Sequence, residues 1–420
     1  VNLGTARVIR ADARQLPLED NSVDLVITSP PYFALRSYQD GGEHYAGQIG
    51  DEPTPDAFVD SLLEVTRECV RVLKPTGSLW VNLGDKYAGA PSGPRSGMPD
   101  GATRKAELHE WQTRRKVTHA VPTKSLIGIP WRYALRCIDD LGLILRAEVI
   151  WSKPNGLPES VTDRVRRSHE QWFHFTLQPR YFSAVDEIRE PYDPKTQARY
   201  DLGFRPEKRL QAGIVSTARD ASILRGDSGP TTTNPLGKLP GSVWTVPTEP
   251  LRVPDHLGVD HFAAFPTEWP RRIIQGWSPS GVCTGCGEGR RPVGEKDRRP
   301  TQRTHNGHGF MSPDHGGRDS LPHRTIVTLT GYACACPEPT APTTPATILD
   351  PFGGTGTVAM VAKALGRHGI SVDMSADYCR LATWRVNDRD QLAKVLGIEK
   401  AEKPHADEQS LLDLLDGGAA

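Results

Sequence analysis

The segment from Ala346 to Ser375, ATILDPFGGTGTVAMVAKALGRHGISVDMS, constrains the fold of this 420-residue chain more than any other. It reads as an apolar strand, a glycine turn, a helix and a second strand. Gly354 and Gly356 begin a G-x-G-x-x-G/A pattern that closes at Ala359. Glycines there let the backbone approach a ligand, and the helix N-terminus offers free N–H groups. Asp373 ends the next strand, at the distance where an acid holds a ribose hydroxyl. A tight strand-to-helix turn with no ligand is the plain alternative. The motif's place in the chain says more than the motif. A nucleotide-binding unit usually opens a doubly wound sheet, yet here too little chain follows Asp373 to supply the remaining strands. They must come from the beginning of the chain. The expected fold is therefore α/β, a circularly permuted doubly wound (Rossmann-like) sheet whose N-terminal strands dock beside its C-terminal ones.

The N-terminal half has the matching rhythm. ARVIRAD and VDLVITS read as strands, DAFVDSLLEVTRECVRVLK from about Pro55 as an amphipathic helix, and GSLWVNLG as a buried strand. IPWRYALRCIDDLG (helix) and LILRAEVIWSK (strand) resume after a polar excursion, and PTEWPRRIIQGW is a short helix. The stretch from Cys283 to Pro345 looks largely irregular, and Cys69, Cys137 and Cys379 fall within helical patterns. Directly behind VDLVIT stands Thr28-Ser29-Pro30-Pro31-Tyr32. Proline cannot continue a central ladder, so the strand stops there and a stiff loop with free carbonyl acceptors begins. In a permuted sheet this loop and the glycine turn lie at the carboxyl ends of parallel strands, along one edge. One site then holds both.

A formal net charge of +0 gives no global argument for an acidic partner. Basic runs are local: RKAELHEWQTRRKVTH from Arg104, RVRRSHEQW from Arg164, RPEKR from Arg205 and GRRPVGEKDRRPTQR from Gly289. Each is as compatible with a solvated surface as with nucleic acid. No segment has the length of a membrane span and the first residues lack a signal-peptide core, so no membrane partner and a cytoplasmic location are expected. Seven cysteines, four of them between Cys283 and Cys336, suit a reduced intracellular protein better than a disulfide framework.

Four motifs in one order resemble a known family. TSPPY resembles the catalytic motif, and DPFGGTGT the cofactor motif, of the β-class (permuted) DNA amino-methyltransferases that use S-adenosylmethionine. HFAAFPTEWPRRII is similar to the segment that closes over the cofactor methionine, and EVIWSKPNGLPESVTDR to a further block of the family. The resemblance covers most of residues 6–190 and 255–390. It implies a methyltransferase sheet acting on double-stranded DNA by base flipping, with a cognate restriction endonuclease as a partner that the family admits. Carried across, it assigns Asp12, Phe265, Pro266, Asp350, Phe352, Gly354, Gly356, Thr357 and Asp373 to the cofactor. It assigns Ser29, Pro30, Pro31 and Tyr32 to catalysis. Serine ahead of Pro-Pro-Tyr resembles the cytosine N4 enzymes, with adenine N6 the alternative. No cysteine adjoins the loop, which disfavours attack on the cytosine ring by a thiolate.

Cys283-x-x-Cys286 and Cys334-x-Cys336 complete a set of four thiols suited to a closed tetrahedral zinc site. Free or redox-active pairs, or a site that borrows His305, His308, His315 or His323, are the alternatives. The expected organisation is a catalytic half at 1–85 and 126–190, interrupted by a polar basic insertion at 86–125. A target-recognition region at 191–254 follows, then a cofactor-closing segment at 255–282 and a zinc module at 283–337. The S-adenosylmethionine-binding half occupies 338–399 and an acidic tail 400–420. Residues Arg104 to His119 and Arg189 to Leu251 are the candidate carriers of base readout. Two rivals compete: a nicotinamide-dependent oxidoreductase, which explains the glycine turn but not TSPPY, and a zinc-ribbon DNA-binding protein on a degenerate methyltransferase scaffold. Neither the recognition sequence nor the oligomeric state is legible.

Overall fold

Strand β2 (Val23–Thr28) is buried at all six positions, as a central strand covered on both faces must be. It organises the computed structural model, which describes residues 3–34, 39–40, 43–44, 47–89, 121–156, 158–195, 234–259, 265–300, 323–336 and 341–398. Two compact units divide the chain. Val1–Tyr181, Thr245–Arg271 and Thr347–Ala420 form the first; Phe182–Trp244 and Arg272–Ala346 form the second.

In the first unit β1 (Thr5–Arg10) and β2 are followed by a two-residue hairpin, β3 (Gln39–Asp40) and β4 (Glu43–His44), and by helix α1 (Pro55–Val72). Thr54 caps α1 by accepting the Ala57 N–H, with Pro55 in the first turn. Then come β5 (Leu73–Leu83), α2 (Ile129–Asp139), β6 (Ile144–Ser152) and β7 (His169–Thr176). After the second unit the chain returns through β13 (Thr347–Asp350), α4 (Thr357–Ala364), β14 (His368–Asp373), α5 (Ala376–Asn387) and α6 (Arg389–Leu396). The eight-stranded sheet runs β1-β14-β13-β2-β5-β7-β6-β8, where β8 (Val243–Thr245) enters the first unit at Thr245. β14 lies between β13 and β1, and β13 beside β2, all parallel. The first and last strands of the chain thus belong to one sheet, with β1 at its edge and β13 and β14 between β1 and β2, as the position of the glycine turn requires.

The other half of the sheet differs from expectation. β7, read in the sequence as part of a basic run, is a strand antiparallel to both β5 and β6, so the sheet is mixed. Its polar start, His169-Glu170-Gln171, hides the buried WFHFT that follows. The arginines of that run are spent on the protein: Arg164 on Glu159 and the Tyr87 ring, Arg166 on the Gly156 carbonyl, Arg167 beside Asp85. Residues Ile370 and Val372 of β14 join the core with Phe58 and Leu62 of α1 and Tyr133 of α2. On the opposite face Gly369 approaches the backbone of Ala359 in α4. Helices therefore cover both faces. Across β5 and β7, Trp80 stacks on His174 at 4.5 Å, and burial drives the imidazole down to about 3, so it stays neutral.

The second unit holds the end of α3 (Glu268–Trp277), a short pair of β9 (Val282–Cys283) with β12 (Thr343–Thr344), and a hairpin of β10 (Arg291–Pro300) with β11 (His323–Ala333). Irregular chain was expected from Cys283 to Pro345. The β-branched run TIVTLT is the local signal for β11. Cys69, Cys137 and Cys379 lie in α1, α2 and α5, as expected. No helix among the described residues is long and apolar enough to cross a membrane. The expected basic run from Arg104 to His119, the tail from residue 400, His305, His308 and His315 lie outside the described residues.

Candidate active site

Because β2 and β13 are parallel neighbours, their carboxyl ends emerge together. Thr28 Oγ1 donates to Asp350 Oδ1 at 2.8 Å, and the Phe352 N–H reaches the same oxygen at 3.1 Å. Asp350 is buried, and burial raises its carboxyl to about 7. The acid therefore ties the TSPPY strand to the glycine turn from beneath and does not line the cleft above them.

That cleft holds about 940 Å³ of empty space, part of it open to solvent, and is lined among others by Asp12, Ser29, Pro31, Phe265, Phe352, Gly354, Thr357 and Asp373. Asp373 spans the turn: Oδ2 accepts the Gly354 N–H at 3.0 Å and Oδ1 the Ser375 N–H at 2.9 Å. Gly356, at φ 72°, sits where a Cβ would meet the Ala382 Cβ at 2.9 Å, so it shapes the turn against α5 without facing the cleft. Under the turn, buried Arg385 donates from Nη1 to Thr355 Oγ1 at 2.7 Å and Thr357 Oγ1 at 2.6 Å. Burial lowers its guanidinium to about 10. Asp12 is chelated by Arg14, whose Nη2 lies 2.7 Å from Oδ2; burial opposes ionisation, but the Arg14 hydrogen bonds prevail and hold the carboxyl below its usual range. Sequence reasoning missed Arg14, although it stands two residues from the acid it serves.

The TSPPY loop is held by side chains from two further strands, β5 and β7. Ser29 Oγ donates to Asn82 Oδ1 at 3.1 Å, while Asn82 Nδ2 donates to the Gln171 carbonyl at 3.1 Å and so fixes which end of the carboxamide faces the serine. The Ser29 proton is thereby committed to Asn82, and the residue lines the cleft. Tyr32 Oη donates to Glu170 Oε2 at 2.7 Å, and Lys153 pairs with the other Glu170 oxygen. Pro30 is buried, its ring against a small interior gap beside Thr28, Leu62 and Phe352. Pro30, Tyr32 and Pro266 are not among the cleft's lining residues.

A family model described as DNA methylase, for N6 and N4 methyltransferases, matches residues 23–283 and 343–383 of this chain, more than half of it. The chain belongs to this DNA methylase family. The match includes the TSPPY loop, the glycine turn and Asp373, and it skips residues 284–342, where most of the cysteine cluster lies. The type II methyltransferase M.SmaI of Serratia marcescens is 38% identical over 197 residues, 46% of this chain and 64% of that protein. M.XycI of Xanthomonas campestris pv. cyanopsidis is 42% identical over 180 residues, 43% of this chain and 56% of its own. M.Cfr9I of Citrobacter freundii is 34% identical over 278 residues, 65% of this chain and 73% of its own. The chain thus spans less than two thirds of the first two relatives. A solved structure named PvuII DNA methyltransferase (cytosine-N4-specific) overlays 95% of both chains at 16% identity and a TM-score of 0.49, too loose a match to add to the argument from strand order.

In the second unit, the sulfurs of Cys283, Cys286, Cys334 and Cys336 lie within 4.8 Å of one another. All four belong to free cysteines. Backbone N–H groups of Cys286 and then Gly285 point at the Cys283 sulfur and pull its thiol down to about 6, the environment of a thiolate. Cys286, Cys334 and Cys336 lie in the stretch that the family match skips, and Cys283 is the last residue matched before it.

Proposed function

We propose that this chain transfers the methyl group of S-adenosylmethionine to the exocyclic N4 amine of a cytosine in double-stranded DNA. The single observation that carries the reading is Ser29, an acceptor with its proton tied to Asn82, standing on the wall of a cleft whose other side is the glycine turn and Asp373. The residues suit the cofactor. Asp373 is a carboxylate acceptor on the cleft wall, as a ribose needs, Phe265 and Phe352 supply apolar walls, and of the Thr355 and Thr357 hydroxyls, bonded to each other at 3.0 Å and engaged by Arg385, one keeps a proton to donate. The bound cofactor supplies an electrophilic methyl on a sulfonium.

The amine is a poor nucleophile because its lone pair is delocalised into the base. Ser29 Oγ accepts one amine N–H and the Pro30 carbonyl the other, which draws the nitrogen towards a tetrahedral shape with its lone pair free. As the N–C bond forms, the S–C pair stays with sulfur, and the base cation then loses one of its two amine protons to water. Tyr32 offers a face to a base that has been flipped out of the duplex.

Cytosine is favoured by the serine ahead of Pro-Pro-Tyr. Adenine N6 remains the second reading, and one observation favours it: with its proton on Asn82, Ser29 acts as an acceptor only and so does not donate to cytosine N3. Nucleoside mass spectrometry of DNA from cells that express the protein decides. N4-methylcytosine is expected; N6-methyladenine alone overturns the base, and unmodified DNA overturns the reaction. The same DNA, sequenced by a modification-sensitive method, gives the recognition site. A restriction endonuclease partner belongs to this reading, as the relatives' type II names suggest. So does a structural zinc held by the four cysteines, whose sulfur separations suit the tetrahedron of about 3.8 Å edges that follows from Zn–S bonds of about 2.3 Å.

A further inference from the structure

Glu170 stands at the start of β7, 138 residues from Tyr32 in sequence, and neither the glycine turn nor the TSPPY motif involves it. It reaches the loop because β7 is antiparallel. The amino end of β7 lies at the same sheet edge as the carboxyl ends of β5 and β6, where Leu83 pairs with Gln171 and Trp151 with Glu170. On that edge Glu170 bridges two groups. Its Oε2 accepts the Tyr32 phenol at 2.7 Å, and its Oε1 pairs with Lys153. Lys153 in turn lies 4.1 Å from the Trp151 ring centroid. The Glu170 and Lys153 side chains are 14% and 20% exposed, so the pair is shielded far better than a surface ion pair. Tyr32 has one proton and two acceptors in reach, and the nearer, Glu170 Oε2, takes it; Asn82 Oδ1, at 3.1 Å, receives the Ser29 proton instead. The ring itself rests on Gly84, where a Cβ would stand 2.6 Å from Cε2.

We propose that Glu170, held by Lys153, is a positioning residue for Tyr32, setting the ring as the platform for the extruded base; this rests on the amine-transfer reading above. Two physical effects follow from the clamp. A tyrosine in a loop would otherwise sample several rotamers, and a platform fixed in advance spares that ordering at the moment of reaction. Positive charge also moves from the sulfonium to the base during transfer, and a ring whose phenol donates to a carboxylate is richer in electrons and attracts that charge more strongly. Both effects act on the transfer step and leave cofactor affinity alone.

The test is a double-mutant cycle on the full chain. It measures single-turnover transfer of tritiated methyl from S-adenosylmethionine to unmodified plasmid DNA, with cofactor affinity followed by calorimetry. Tyr32→Phe and Glu170→Ala are each expected to slow transfer by ~10- to 100-fold, the loss a small misplacement causes, without changing cofactor affinity. The double variant is expected to be no slower than the slower single one, and Glu170→Gln, which keeps an acceptor for the phenol, to recover most of the rate. Multiplicative losses in the double variant, or an unchanged rate in Glu170→Ala, overturn the positioning role while the reaction stands. If circular dichroism shows Glu170→Ala unfolded, Lys153→Met takes its place. Its loss should vanish in the Tyr32→Phe background, and persistence there overturns the role. A wild-type protein that moves no methyl to DNA overturns the reaction and the positioning role together.

Discussion

Ser29 owes its chemistry to Asn82, a partner 53 positions away. A hydroxyl can donate or accept, and only the orientation of the Asn82 carboxamide, pinned by the Gln171 carbonyl, makes it an acceptor. Ser29→Ala removes a contact matched to the reacting amine, so turnover should fall by about two to three tenfold steps, in the range of other positioned hydrogen-bond groups. Cofactor affinity, followed by calorimetry, should not move; a parallel loss of affinity would place Ser29 in the cofactor site instead. Asp373→Ala acts on the other partner. It strips the acceptor from the Gly354 and Ser375 N–H groups and from the ribose, so affinity for S-adenosylmethionine should drop by about tenfold or more, as for hydrogen bonds to a charged group. DNA binding by gel shift should stay as it was. Ser29 and Asp373 were legible because each ends a strand in a recognisable local pattern. Asn82 and Glu170 were not. Nothing next to them in sequence marks them, and only the order of strands in the sheet brings them to the loop.

At the scale of elements, the joint between β13 and β2 is what makes two distant motifs one site, and Asp350 is its pin. Its carboxyl is raised from 3.8 to about 7, with burial the leading cause. Between those values the folded chain holds a proton that the unfolded chain has released, so stability falls as pH rises through that window and the loss is complete above it. At about 1.4 kcal/mol per pKa unit, the effect is on the order of a few kcal/mol. Asp350→Asn keeps an oxygen for Thr28 and Phe352 and has no such titration. Melting temperatures of the two proteins should therefore diverge between about pH 4 and pH 7, the variant gaining on wild type as pH rises, and run parallel above that; curves parallel throughout would mean that Asp350 titrates normally. The elements around this joint were readable from local signals: the apolar β2, the capped and amphipathic α1, and the glycine turn between β13 and α4. β7 was not, since its charged beginning resembles a surface run and its pairing with β5 and β6 is a tertiary fact. The hairpin of β10 and β11 was missed for a related reason. Its β-branched run is short and stands among glycines and prolines that read as loop.

At the scale of the whole molecule, the family match covers the strands that carry both motifs and leaves out residues 284–342, so the cysteine module is an addition to the methylase fold. The module's need for a staple follows from its composition. A two-stranded hairpin is at best marginally stable alone, and β10 offers little apolar surface: Val293 is its single large aliphatic residue, and it is exposed. The four cysteines bracket the hairpin, Cys283 and Cys286 ahead of β10 and Cys334 and Cys336 just behind β11. A closed thiolate site there would fix both ends of the ribbon at once, and its binding energy would be folding energy for the module. Protein purified without chelator should then carry about one zinc per chain. Cys283→Ser should release the metal and expose the hairpin to limited proteolysis. Calorimetry with S-adenosylmethionine should still give one site of unchanged affinity, because the cleft is built wholly from the first unit. Protein free of zinc with a protease-resistant hairpin would mean that the four thiols have another use; loss of cofactor binding with the metal would mean that the first unit depends on the module for its fold.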